Sequence, residues 1–333
     1  MPEMRELTIL EAIKEALDEE LARDPSVFLI GEDVGRAGGV FMVTEGLQKK
    51  YGRGRVLDTP ISEAIIAGTG IGAAMTGMRP VVEIMFCDFM TLAMDQVVNQ
   101  AAKMHYMTGG QAKIPLVIRT AGGAGRAAAA QHSQSLHAWF AHIPGLKVVL
   151  PSTPYDAKGL LKSAIRDDNP VIYFEDKMSY QVKGPVPVGE YTIPLGVADI
   201  KRTGKDVTLI ATSSMVQVAE KAVNLLAEDN ISAELIDPRC LRPLDKETIL
   251  SSVKKTGRAV VIDEGYLSFG ATAEIAAIIS DEAFDYLDAP VKRIGAMDVP
   301  IPMTPTLEIA TIPNEMQVVQ TVKSLFGRRY PNE

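Results

Sequence analysis

Cysteine is nearly absent from this chain. Its 333 residues carry two, Cys87 and Cys240, far apart and in no metal-ligand spacing. That pattern excludes a disulfide framework or a cysteine-built zinc site, and reduced thiols in a cytoplasmic protein are the expected state. Long uncharged apolar runs are missing too. The longest candidate, 64–78, is too short and too rich in glycine and threonine to span a bilayer. An excess of positive charge is also lacking. Lys and Arg number 34 against 42 Asp and Glu, a net charge of −8, so neither nucleic acid nor an anionic membrane is an expected partner. The opening stretch MPEMRELTILEAIKEALDEEL is acidic and helical in pattern, unlike a secretory signal or an arginine-rich transit peptide.

What is present is enough apolar material for two cores: 47% of the residues are hydrophobic, and the length suits two domains. Apolar residues recur at helical spacing over 10–21. Short apolar strands are expected at 26–30, 81–86, 114–119, 146–150 and 171–175, with helices at 62–78, 90–107 and 155–166 between them. Mostly apolar strands separated by helices imply an α/β fold with a parallel sheet flanked by helices. Composition shifts at 182–200, VKGPVPVGEYTIPLGVADI, which reads as an extended linker. A second α/β pattern follows, with strands at 206–211, 232–236 and 258–262 and helices at 215–228 and 271–280. The expected domains are therefore 1–181 and 201–333, joined by 182–200.

Within VLDTPISEAIIAGTGIGAAMTG (56–77), Glu63 stands alone at the head of a run with no further charge before Arg79. With Ser62 near the cap, Glu63 falls in the first helical turn, where the helix dipole favours an anion. Taken alone that is an ordinary position for an acid. The functional alternative is a carboxyl aimed at a ligand in an apolar cleft, where desolvation raises its pKa and keeps a proton available. The segment GTGIGA (68–73) loosely fits a dinucleotide fingerprint and so raises a nicotinamide oxidoreductase. Only about ten residues separate Gly70 from the next strand, too few for a crossover in a unit of about thirty residues. Small residues packed inside a helix are the better reading. A Gly/Ala-rich segment, AGGAGRAAAAQHSQ (121–134), leads to His132, which could exchange protons near neutral pH. His137 and His142 lie close in sequence, but no carboxylate or cysteine pattern accompanies them, and a metal centre is discounted.

Taken in order, DTPISE, RPVVEIMFCDF, DQVVNQAAK, YMTGG, AAQHSQS, PGLKVVLPSTPYDAKGLLKSAIRDDNPV, PLD and VIDEG resemble the β subunits of thiamine-diphosphate-dependent 2-oxo acid dehydrogenase decarboxylating components, over nearly the whole chain. The resemblance implies a pyrimidine-binding α/β domain followed by a transketolase C-terminal-like domain. It implies that Glu63 hydrogen-bonds a ring nitrogen of the cofactor's aminopyrimidine and that Phe89 packs on that ring, with Met85 and Glu32 lining the same pocket. His132 would handle protons near the substrate. Leu116, Ala164, Asp167 and Asn169 match a position that holds a structural potassium ion. The Gly-Asp-Gly motif with which thiamine-diphosphate enzymes hold Mg²⁺ and the diphosphate is absent. The resemblance thus implies a cofactor shared with an α subunit, which holds the Mg²⁺ in an α2β2 heterotetramer. It implies a dihydrolipoyl acyltransferase core as the further partner. The stretches PSTPYDAKGLL, YFEDKMSY and YTIPLGVADIKR point to the acetoin-cleaving branch, with pyruvate and branched-chain 2-oxo acids as the alternatives. A non-catalytic docking scaffold and a self-sufficient transketolase-like enzyme are further alternatives.

Overall fold

The computed structural model describes residues 3–326. Within it the described chain forms two compact units: 3–123 with 139–195, and 124–138 with 196–326. Both are α/β layers built on largely parallel sheets. The first sheet runs, by residue range, Lys147–Val149, Val171–Asp176, Val117–Gly122, Arg79–Glu83, Val27–Glu32, Val56–Thr59. All of these neighbours pair in parallel. Buried on both faces, the strands read as near-continuous apolar runs, and this is why periodicity found them.

Two helices pack together in this unit, Ile9–Arg23 and Pro154–Arg166. The first begins with a capping box. The Glu11 amide donates to the Thr8 hydroxyl at 3.1 Å, and the Thr8 amide donates to the Glu11 carboxylate at 2.8 Å. Between the helices, buried Lys158 reaches Glu15 at 2.6 Å and Glu19 at 2.7 Å.

A charged knot lies inside the same sheet. Arg119, on a central strand, donates to Glu83 on one neighbouring strand at 2.6 Å and to Glu175 on the other at 2.7 and 2.9 Å. Tyr180 donates its hydroxyl to Glu175 at 2.6 Å. All four side chains are buried. Burial raises the Glu83 carboxyl above the ordinary glutamate range even with Arg119 beside it. Each buried charge has a partner of opposite sign, as a buried ion requires.

The second sheet runs Lys292–Ala296, Ala259–Tyr266, Val207–Ala211, Ala233–Asp237, Asp199–Arg202. Only the last strand is antiparallel to its neighbour. Alternation sorts the side chains: Leu209, Leu235, Val260 and Ile262 meet the helices Met215–Glu228 and Glu315–Phe326, while Ile210, Ile236 and Val261 meet Ile249, Val253, Ile275 and Ile279 on the other face.

Several expectations shift. Residues 182–200 are extended but are not a free linker. Lys183–Pro187 pairs antiparallel with Met4–Thr8, and Asp199–Arg202 joins the second sheet. The expected helix over 90–107 is instead a 3₁₀ segment Cys87–Ala93, a π-helical turn Gln96–Ala101 and a short helix Met104–Met107. The helix expected over 62–78 is Glu63–Met75. It ends because Gly77 takes φ +95°, with Met78 and Gly77 amides donating back to Ala73 and Ala74 carbonyls. The segment GTGIGA lies inside this helix. A Cβ on Gly70 would come within 2.5 Å of Val82, so the small residues serve packing against the sheet. Among the described residues, no helix is long and apolar enough to cross a membrane.

Candidate functional site

In an open parallel sheet, a ligand crevice forms at the carboxyl ends of two adjacent strands whose following connections run in opposite directions. The first unit has such a place. Strands Val27–Glu32 and Arg79–Glu83 pair directly. The chain leaves the first toward Val56–Thr59 on one side and the second toward Val117–Gly122 on the other. Gly31 is in register with both Asp58 and Glu83, so the strand ends lie level. Glu32 closes the first strand, Met85 and Phe89 follow the second, and Glu63 opens the helix after the outer strand. Four residues drawn from separate stretches of sequence thus gather at one sheet edge.

Met85 and Phe89 are half-buried. The Phe89 amide donates to the Phe86 carbonyl at 2.9 Å, which turns the segment back on itself. Phe86 lies 5.7 Å from the Phe41 ring, and the Lys177 ammonium sits 4.7 Å over its face. The loop after Glu32 is close-fitted to this floor. A Cβ on Gly39 would fall 2.9 Å from the Glu83 carboxylate, and Gly39 has φ +80°, so a side chain there is excluded twice over.

The electrostatics are those of an acceptor-rich site. Burial, followed by the charges of Asp33 and Glu63, raises the Glu32 carboxyl above the ordinary glutamate range. Glu63 is half-buried, and its carboxylate has no hydrogen-bond partner among the described residues. Ser62 occupies the cap position but makes no side-chain capping bond. Thr59, in register with Glu32, has a buried hydroxyl oxygen without a partner among the described residues. Two carboxylates and a hydroxyl left without protein donors suit a ligand carrying N–H groups.

His132 lies in the second unit, half-buried, on the segment 124–138. Its amide donates to the Ala129 carbonyl at 3.2 Å. His137 is buried, and its Nε2 lies 2.8 Å from Asp263. Asp263 also accepts from the Thr212 hydroxyl and from the Gly265 amide. Burial opposes its charge, but His137 and these donors prevail and hold its pKa below the ordinary aspartate range. No cluster of three or more His, Cys, Asp or Glu side chains suited to a metal exists among the described residues. Sequence reasoning passed over Asp263, Glu264 and Glu308, which hold this segment. They lie more than a hundred positions away in sequence, and the only signal was the acid pair in VIDEG.

Leu116, Ala164, Asp167 and Asn169 do come together. The Leu116 carbonyl accepts from Val171 at 2.8 Å, Ala164 lies in the last turn of its helix, and Asp167 caps that helix. The Asn169 amide and side chain both donate to the Asp167 carboxylate. Lys147 pairs with Asp167, and Arg79 donates to the Asp167 carbonyl at 3.0 Å, so two cationic side chains already serve this corner.

Comparison with known proteins gives a consistent result. Residues 5–183 match the transketolase pyrimidine-binding domain and residues 196–318 the transketolase C-terminal domain. The chain is 50% identical to the acetoin:2,6-dichlorophenolindophenol oxidoreductase subunit beta of Bacillus subtilis (strain 168), over 97% of this chain and 98% of that one. It is 47% identical to the pyruvate dehydrogenase E1 component subunit beta of Rickettsia felis, over 96% and 98%. It is 46% identical to a mitochondrial pyruvate dehydrogenase E1 beta subunit of Oryza sativa subsp. japonica, over 98% and 88%. A solved split-gene transketolase, described as an inactive beta4 tetramer, superposes with a TM-score of 0.78 at 22% identity, covering 97% of this chain and 99% of that one. That likeness supports the fold.

Proposed function

Because the chain belongs to the family of β subunits of thiamine-diphosphate-dependent 2-oxo acid dehydrogenase decarboxylating components, we propose that it acts with an α subunit to cleave acetoin and pass the acyl group to lipoyl-lysine of a dihydrolipoyl acyltransferase. The observation that carries this reading is Glu63, held at a helix start by the strand reversal with no protein partner among the described residues for its carboxylate. A second reading, decarboxylation of pyruvate or a branched-chain 2-oxo acid, draws on identities of 46–47% with pyruvate dehydrogenase subunits. The acetoin reading draws on 50% with the Bacillus chain.

The residues fit the pyrimidine half of thiamine diphosphate. Glu63, Glu32 and the Thr59 hydroxyl offer acceptors to a ring bearing nitrogens, and Met85 and Phe89 offer half-buried apolar faces. When bound, the cofactor supplies the carbanion chemistry. Glu63 holds a proton against a ring nitrogen. Glu32 lies beside it, its carboxyl raised above the ordinary glutamate range by burial and by the charges of Asp33 and Glu63. Phe89 and Met85 orient the ring and keep water from Glu63. His132 exchanges protons with the substrate. Magnesium is assigned to the α subunit, since octahedral oxygen ligation beside phosphates has no Gly-Asp-Gly motif here. A structural potassium ion is assigned to the corner of Leu116, Ala164, Asp167 and Asn169. A carbonyl has two lone pairs, so the protein donors already present leave one for an ion. An α2β2 assembly and a cytoplasmic location complete the reading.

The test is turnover by the reconstituted α/β complex with a dye acceptor, comparing acetoin, pyruvate and a branched-chain 2-oxo acid. Preference for acetoin is the expected result. Preference for pyruvate favours the second reading, and no turnover with any of them contradicts both.

A further inference from the structure

The second sheet has its own reversal of strand order. Strands Val207–Ala211 and Ala259–Tyr266 are adjacent, and their connections run to opposite sides. No ligand is needed to fill that place, because residues 124–138 of the chain occupy it. The Glu264 carboxylate accepts from the Ala124 amide at 2.6 Å and from the Ser214 hydroxyl at 3.1 Å. Asp263 pairs with His137 at the other end of the segment. The third tether comes from elsewhere. Glu308, in the helix Pro305–Thr311, is 1% exposed, and its two carboxylate oxygens accept from the Gly125 and Ala127 amides, each at 2.8 Å.

The backbone between these tethers is costly. Gly125 has φ +100°, and Ala127 and Ala129, with no glycine's freedom, have φ +53° and +62°. Alanine takes such angles only where surroundings hold it there. Ala127 is itself a donor to Glu308, and His132 begins where its amide meets Ala129. Ser133, next in sequence, is buried at 2% exposure. The segment is thus pinned on both sides of a strained run, and His132 is presented from it.

We infer that Glu308 is a positioning residue for the reaction: its buried carboxylate clamps the Gly125 and Ala127 amides and so fixes the left-handed run that presents His132. This rests on the proton-handling role assigned to His132 above. Glutamine at 308 keeps the size but offers one acceptor oxygen, so one amide loses its partner and meets an N–H donor instead.

The experiment uses the assembled α/β complex with Glu308→Gln, His132→Ala and the double variant. Tryptic cleavage after exposed Arg126 and steady-state kinetics are both read. In Glu308→Gln, cleavage is expected to speed up about tenfold as the loop opens locally. Its kcat is expected to fall about 10–100-fold with little change in KM, as for a misplaced group. The double variant is expected to be no slower than His132→Ala alone. Unchanged cleavage and kcat in Glu308→Gln would overturn the clamp. A fall that multiplies with that of His132→Ala would overturn action through His132. Full turnover by His132→Ala would overturn the role assigned to His132, and faster cleavage in Glu308→Gln would then show that the clamp itself stands apart from that failure. Should Glu308→Gln not assemble, Glu308→Asp, which keeps both acceptor oxygens but withdraws them from the Gly125 and Ala127 amides, reads the same outcomes.

Discussion

Each unit has a reversal of strand order in its parallel sheet, and the two places are filled differently. In the first, Glu32, Glu63 and Thr59 present acceptors to which the described chain brings no donors. In the second, Asp263 and Glu264 stand at the equivalent strand end, but the chain fills their sites itself, with Ala124 and His137 from 124–138 and with Thr212, Ser214 and Gly265. Comparable topology therefore leaves acceptors open in one unit and anchors a loop in the other. What separates them is where the hydrogen bonds of the acids go. A carboxylate saturated by protein is holding structure, and a half-buried one left without protein donors at a strand end is open to water or to a ligand. The Arg119 knot makes the same point inside the first unit, since Glu83 and Glu175 are buried more deeply than Glu63 yet both pair with Arg119.

The comparison can be broken by exchanging what each acid is asked to do. Glu63→Gln should lower turnover of the assembled enzyme by about 10²–10⁴-fold, the range for losing a positioned proton-transfer group. The melting temperature should stay within about 2 °C, because no protein hydrogen bond is lost. Arg119→Met should do the opposite. It leaves Glu83 and Glu175 buried without their cation and should cost about 3–5 kcal/mol in a denaturant titration. Part of that loss should return in acid, as the two carboxyls take up protons.

Asp263→Asn should cost about 1–3 kcal/mol at neutral pH, as an acceptor shared by His137, Thr212 and Gly265 loses its charge. The folded pKa of Asp263 is depressed, so its contribution is present above the unfolded carboxyl pKa and lost as pH falls through the folded value. The difference between variant and parent in urea melts should therefore shrink in acid. Glu32→Gln should give the smallest effect and the reverse sign. Burial and two neighbouring acids raise this carboxyl's pKa, so its ionised form disfavours folding above that value, and the folded state gains stability as pH falls through it. The variant should melt about 1–3 °C higher than the parent at pH 8, with the gain fading on acidification.

The strands were legible because they are buried on both faces and read as apolar runs, as at 81–86 and 171–175. Glu63 stood out as a lone charge at the head of an apolar helix, but that is an ordinary position for an acid, and only the resemblance gave it a role. The 87–107 stretch misled: its apolar spacing is helical on average, but the chain breaks it into 3₁₀, π and α turns. The assignment of 124–138 to the second unit could not be read at all. It depends on Glu308 reaching amides 183 and 181 positions away, and a backbone donor carries no signature of its acceptor in sequence.

The most direct test of the account is calorimetric titration of thiamine diphosphate with Mg²⁺ into this chain alone, into its complex with the α subunit, and into that complex carrying Glu63→Gln. The account predicts binding only when the α subunit is present, and loss of turnover in the Glu63→Gln complex. Tight binding by the chain alone, or full turnover with glutamine at 63, would contradict it.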